Sequence, residues 1–338
     1  MQDITELEEQ LSKPTTGVID TLANLQGDVM VLGAAGKMGP TLTRMAKRAS
    51  DATGAARRVI GVSRYSNPDE QSKLEAHGIE TIRADLLDES EINALPDVPN
   101  IVYMVGMKFG STDNEALTWA INVHLPALVC RKFPKSRLAV FSTGNVYGPT
   151  ASCGNGSVES DTPNPVGEYA MSCLGRERIF EHFSKTQGTD VTIIRLNYAT
   201  EMRYGVLVDI ARKVWDDQPI DLTMGYVNVI WQGDANAMAL QSLAKAASPP
   251  LVLNVSGPRI FRVRDVAEQF GSIMKKRVSF QGEEDDKALL GDGQLGYRLF
   301  GRPQVELEQL IEWSADWVMR DGESLNKPTH FEVTDGKF

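Results

Sequence analysis

The sequence predicts an α/β protein: a Rossmann-like, doubly wound parallel sheet with a smaller C-terminal substrate lobe. Three observations lead there. From Asp28 to about residue 200, short near-continuous apolar runs alternate with helical stretches, the pattern of a parallel sheet covered on both faces. Three spaced glycines follow the first run directly and open a helix. Beyond residue 200 the alternation breaks into shorter pieces, which suits a lobe interleaved with the end of the sheet.

Residues 1–27 stand before the first strand as a helical extension. Thr5 and Glu8 have the spacing of a capping box, with Leu7 and Leu11 along one helical side. The runs VMVLG (29–33), RVIGVS (58–63), IETIRA (79–84), IVYMVG (101–106), RLAVFS (137–142) and VTIIRL (191–196) are then the predicted strands. After them come a helix near 204–216, a strand near 226–231 and a helix near 233–247. A strand LVLNV (251–255) and helices near 263–275 and 305–319 complete the chain. The division that follows is a dinucleotide-binding unit at 28–200, rejoined by 226–256, and a substrate lobe at 201–225 and 257–338.

The glycine loop VMVLGAAGKMG places Gly33, Gly36 and Gly39 where a tight turn, close backbone approach to a pyrophosphate and tight helix-on-strand packing are needed. Pro40 suits an early helical position, whose N–H lacks an intrahelical partner. Lys37 and Met38, inside the loop, are expected beside the cofactor. An NAD site usually ends its second strand with an acid that holds the ribose hydroxyls. Here Ser63 and Arg64 stand instead. Arg64, helped by Lys37, can pair with a 2′-phosphate, so NADP is the expected cofactor and NAD the alternative. Asp85, after the third run, is either an adenine acceptor or a helix N-cap. Gly106 and Asn197, at the ends of the fourth and sixth runs, are expected at the cofactor edge.

Bulk composition narrows the partners. The 338 residues are 42% hydrophobic and 24% charged, with a formal net charge of −10. That balance disfavours nucleic acid or an anionic membrane surface as a partner. Three widely spaced cysteines and four scattered histidines fit no disulfide framework and no metal-ligand spacing. The acidic N-terminus MQDITELEEQL is unlike a targeting peptide, and the cytoplasm is the expected compartment.

Together these pieces resemble the extended short-chain dehydrogenase/reductase family, also called the NAD-dependent epimerase/dehydratase family, from about residue 28 to about 320. GAAGKMG has its glycine spacing, although the same stretch also resembles the nucleotide loop of dihydrodipicolinate reductase, which lacks the next two motifs. FSTGNVYG (141–148) resembles the fifth-strand motif, whose assisting hydroxyl falls on Thr143. YAMSC sits where the family has Tyr-x-x-x-Lys, so Tyr169 matches the catalytic tyrosine and Cys173 stands in the lysine's place. Asn122, in INVHLPALV, matches the structural asparagine. The resemblance implies hydride transfer to or from a sugar, sugar acid or nucleotide sugar, with Tyr169 handling the hydroxyl proton. It also implies a homodimer built on helices near 113–133 and 166–187.

The missing lysine matters because a free tyrosine titrates near pH 10, too high for an efficient base at neutral pH. Arg176, two turns after Tyr169 on one helical face, either compensates or faces solvent. A carbonyl reductase suffers less from the loss than an alcohol oxidase, since a neutral tyrosine already carries the proton to be donated. The alternative is a catalytically impaired NADP-binding sensor. Pro126 leaves the Asn122 carbonyl without its helical donor, either to hold a water or simply to kink the helix. Arg195 is a substrate anion contact or a strand-end ion pair; Arg203, Tyr204, Trp231 and Arg262 are substrate contacts or packing residues.

Overall fold

The computed structural model describes residues 1–108, 110, 113–333 and 336. Its centre is a seven-stranded, wholly parallel sheet. The strands are β1 (Val29–Leu32), β2 (Val59–Ser63), β3 (Glu80–Arg83), β4 (Asn100–Tyr103), β5 (Arg137–Thr143), β6 (Val191–Leu196) and β7 (Leu251–Val255). Their spatial order is 7-6-5-4-1-2-3, so the winding direction reverses between β1 and β4. Val29 pairs with Val59 on one side and Asn100 on the other. The α/β expectation therefore holds, and the crevice at the carboxyl ends of β1 and β4 is where such sheets bind ligands.

Both faces are apolar because both are covered. Val29 and Val31 point into a core shared with helices Thr16–Asn24, Gly39–Ala52 and Gln232–Ser242. Met30 and Leu32, the alternate residues, point into a second core with helices Glu89–Ala94 and Leu125–Lys132. A run that is apolar at every position is what two buried faces require. A third core gathers helices Val206–Trp215, Val263–Met274 and Leu307–Met319.

Some elements depart from the expected ones. The first helix, Ile4–Leu11, is capped by Asp3, whose side chain accepts from the Glu6 N–H, and not by Thr5. Leu7 and Leu11 do form its inner side and are wholly buried, in the third core. The expected strand at 226–231 is two short ones: Tyr226–Val227 pairs with Phe261–Arg262, and Ile230–Trp231 with Ala199–Thr200. The helix near 113–133 is broken into Glu115–Trp119, a π-helical turn Ala120–His124 and Leu125–Lys132. Pro126, which cannot donate, sits at the start of the last piece, and the wide turn carries Asn122.

Candidate active site

The glycine loop forms by necessity of space. Gly33 has φ +94°, a backbone conformation that favours glycine. A Cβ on Gly39 would lie 2.5 Å from the Ala34 carbonyl oxygen and 2.6 Å from that of Gly33. The tight turn from β1 into the helix Gly39–Ala52 can therefore form unstrained only with glycine there. Over the β1/β4 crevice lies a pocket of about 280 Å³, whose lining includes Gly33, Gly36, Ser63, Arg64, Asp85 and Gly106. Arg64 is exposed at its mouth, and Glu70 shares the lining. Asp85 does not cap the next helix; Asp88 does. Asp85 instead accepts from the Leu87 N–H, which leaves its carboxylate on the pocket wall.

Lys37 leaves this pocket. Its side chain turns toward the third core, with Nζ 3.0 Å from the Tyr204 ring centroid, so it does not join Arg64 as the sequence suggested. It enters a second pocket of about 130 Å³, shared with Met38, Thr143 and Tyr169. Thr143 ends β5, and Tyr169 heads the helix Gly167–Gln187. The Thr143 hydroxyl donates to Asn145 Oδ1 at 3.2 Å. Burial pushes the Tyr169 phenol well above the ordinary tyrosine range, and Cys173 adds to the rise. The Arg176 charge and a hydrogen bond with Thr143 oppose it. Burial likewise raises the Cys173 thiol, so a neutral sulfur lies one helical turn from Tyr169.

The expected inner face of this helix needs amending. Ala170, Cys173 and Phe180 are buried, Leu174 and Ile179 only partly, and the space between belongs to Arg176 and Glu177. Arg176 is 5% exposed, which excludes the solvent-facing alternative. Its guanidinium donates to the Phe141 carbonyl at 2.8 Å and to Asn122 Oδ1 at 2.5 Å. A Cβ on Gly106 would strike it at 2.6 Å. Asn122 in turn accepts from the Met107 N–H and donates to the Met107 carbonyl and Ser172 Oγ. Arg176 thus stays close enough to favour the phenolate while bracing the loop after β4.

Other candidates take structural positions. Arg195 makes a buried two-point ion pair with Glu177, the strand-end alternative. Asn197 donates to Asn228 Oδ1 and lines neither pocket. Arg262 pairs with Glu284, and Trp231 packs edge-on to Trp313. Arg203 grips Glu201 and Glu8. Tyr204 alone of that group lines the Tyr169 pocket. Lys108, Asn145, Tyr198 and Thr329 also line it and were not foreseen. Lys108 lies two residues beyond Gly106, a signal that was available. Thr329 reaches the site from the far end of the chain and left none.

A family model described as the NAD dependent epimerase/dehydratase family matches residues 29–199, half of the chain. The protein belongs to that family. It is accordingly an enzyme of the nicotinamide-dependent epimerase and oxidoreductase kind. Among solved structures it is similar to the UDP-glucuronic acid 4-epimerase of Bacillus cereus in complex with UDP-glucuronic acid and NAD, at 17% identity and a TM-score of 0.71, over 87% of this chain and 99% of that one. The UDP-glucose 4-epimerase of Thermotoga maritima with UDP-glucose matches at 16% and 0.71, over 87% and 99%. The dTDP-glucose 4,6-dehydratase of Streptomyces venezuelae with NAD matches at 18% and 0.72, over 87% and 97%. At these identities the likeness is one of fold. The comparison with curated proteins finds no match. Among the described residues no helix is long and apolar enough to cross a membrane, and no cluster of metal-ligating side chains occurs.

Proposed function

We propose that this family member moves a hydride between NADP(H) and a carbon of a sugar, sugar acid or nucleotide sugar, with Tyr169 passing the hydroxyl proton. One observation carries the reading: Thr143 and Tyr169 meet in one pocket at the carboxyl rim of the sheet, beside a glycine loop that tolerates no Cβ at Gly39. The cofactor, when bound, supplies or accepts the hydride. Gly33, Gly36, Met38 and Gly39 would let its pyrophosphate approach the backbone, Ser63 and Arg64 would face the adenosine ribose, and Asp85 the adenine. NADP is favoured over NAD because β2 ends in Ser63, followed by an exposed Arg64.

The chain's own residues set the direction. A phenol held protonated by burial is ready to donate, so Tyr169 serves carbonyl reduction better than alcohol oxidation. Thr143, hydrogen-bonded to the phenol, steadies the charge that develops as the proton leaves. Arg176 supports the same charge from behind, while its main bonds, with Asn122, hold the loop that carries Gly106 and Met107. We also propose a homodimer, since Leu117, Trp119, Val166 and Met171 are exposed apolar side chains on or beside the two helices that such dimers use. The cytoplasm suits three free cysteines, two of them buried.

The test is turnover. With NADPH and a panel of aldoses, ketoses and sugar acids, absorbance at about 340 nm should fall. Tyr169→Phe should lower the rate by roughly 10²–10⁴-fold with cofactor affinity unchanged. An undiminished rate in Tyr169→Phe would sink the assignment, as would calorimetry that detects no heat from either dinucleotide. Binding without turnover on any panel member would favour the sensor, for which Cys173 is the supporting observation.

A further inference from the structure

Tyr65, in the link between β2 and the helix Pro68–Ala76, has φ +44°. For a bulky side chain that conformation is an outlier, and such residues persist only where their surroundings impose them, often beside ligand sites. Two bonds impose it here. The ring doubles back along β2, where it is 1% exposed and its phenol donates to the Gly61 carbonyl at 2.9 Å. On the other side, the Arg83 guanidinium donates to the Tyr65 carbonyl at 2.6 Å. Gly61 leaves the room the phenol needs: a Cβ there would stand 2.9 Å from the phenol oxygen and 3.0 Å from the Ala34 Cβ. The ring thus lies in the sheet core together with Ala34 of the glycine loop.

The residues before Tyr65 are held as well. The Val62 carbonyl accepts from the Gly33 and Ala34 N–H groups at 2.9 and 3.1 Å, and the Ser63 carbonyl from the Ala84 N–H at 3.0 Å. Between these fixed points stands Arg64, exposed at the mouth of the pocket over the β1/β4 crevice. Its side chain has no hydrogen-bond or ion-pair partner among the described residues. The chain therefore spends a strained, buried tyrosine on fixing the backbone beside a guanidinium that nothing described engages.

We propose that Tyr65 is a positioning residue for cofactor choice: its pinned left-handed turn fixes the backbone from which Arg64 meets the ribose 2′-phosphate. Preference for NADP over NAD then depends on a buried phenol whose own bond is to Gly61. The inference rests on the NADP reading above. Ordering a long exposed side chain on a ligand costs conformational entropy, and a backbone already fixed removes its share of that cost. Glu70, on the same lining, makes the placement matter. An Arg64 that drifts leaves the phosphate facing a carboxylate of its own sign, which penalises NADP and spares NAD.

Calorimetric titration of the full chain with NADP, NAD, adenosine 2′,5′-bisphosphate and 5′-AMP reads the preference with and without the nicotinamide half. The wild type should bind each 2′-phosphorylated ligand at least about tenfold more tightly than its twin, and Arg64→Met should abolish the difference. Tyr65→Phe keeps the ring in the core and loses only the bond to Gly61. It should lower the preference about fivefold while NAD and 5′-AMP affinities stay within about twofold. In the Arg64→Met background the same change should leave the preference unaltered, because the tyrosine acts through the arginine. Melting curves followed by circular dichroism confirm that the variants fold. The proposal is overturned by an unchanged preference in Tyr65→Phe, by an equal loss for all four ligands, or by an equal fall with Arg64 already replaced. In each of those cases the wild-type preference for NADP still stands. A wild type that binds NAD as tightly as NADP overturns the NADP reading itself, and the proposal with it.

Discussion

Glu177 shows how much a single side chain carries behind the site. It accepts from Ser142 Oγ at 2.6 Å and from two nitrogens of Arg195, and both charged partners are almost fully buried. Removing one member leaves the other as an uncompensated buried charge, which costs about 3–5 kcal/mol. Glu177→Gln should therefore lower unfolding free energy by about 3 kcal/mol in urea melts, whereas the neighbouring exposed Arg178→Gln should change it by under about 1 kcal/mol. Equal effects would show that the pair adds nothing. At this scale the sequence was legible where a motif is local. Thr143 and Tyr169 could be placed from a few residues on either side. Arg176 could not, because its role depends on Phe141 and Asn122, 35 and 54 residues away. Lys37 was assigned to the right loop and the wrong pocket, since the direction of its side chain is set by Tyr204 in a distant segment.

Among elements, the strands were the most legible and the breaks in helices the least. β1 reads as VMVL because each of its four side chains is buried, two on each face. The π turn at Ala120–His124 shows in the sequence only as Pro126, whose missing N–H was evident but whose effect on the turn width was not. The junction of β1 with helix Gly39–Ala52 gives the sharpest test. Gly39→Ala would press a methyl into the Ala34 and Gly33 carbonyl oxygens, which are backbone and cannot rotate aside. A destabilisation of about 1–3 kcal/mol is expected, with dinucleotide affinity reduced about tenfold or more. Gly54→Ala, in open space but at φ +68°, should cost only the local strain of about 1 kcal/mol and spare the affinity. Calorimetric titration with NADP compares the two, and equal losses of affinity would remove the close-approach argument.

For the whole molecule, the covered parallel sheet was legible in the alternation of apolar runs and helices, whereas its strand order and the packing between distant segments were not. The apolar exposure at Leu117, Trp119 and Met171 belongs to this scale, since no described residue of the same chain buries it. Trp119 also donates to Glu168, tying the two helices into one face. Sedimentation velocity should find the wild type as a dimer and a Leu117→Asp, Met171→Asp double variant as a monomer with an unchanged circular dichroism spectrum. A wild type that sediments as a monomer would refute the dimer.

The N-terminal pair of helices has a mechanical meaning of its own. Leu7 and Leu11 are sunk in the third core, Val18 and Leu22 in the sheet core, and Glu8 and Glu9 reach Arg203 on one side and Arg44 and Arg48 on the other. The segment works like a cotter pin driven through two bodies. Slackening either body frees the pin and exposes the other's flank, so heat or denaturant meets a single joint where two hinges would otherwise have been.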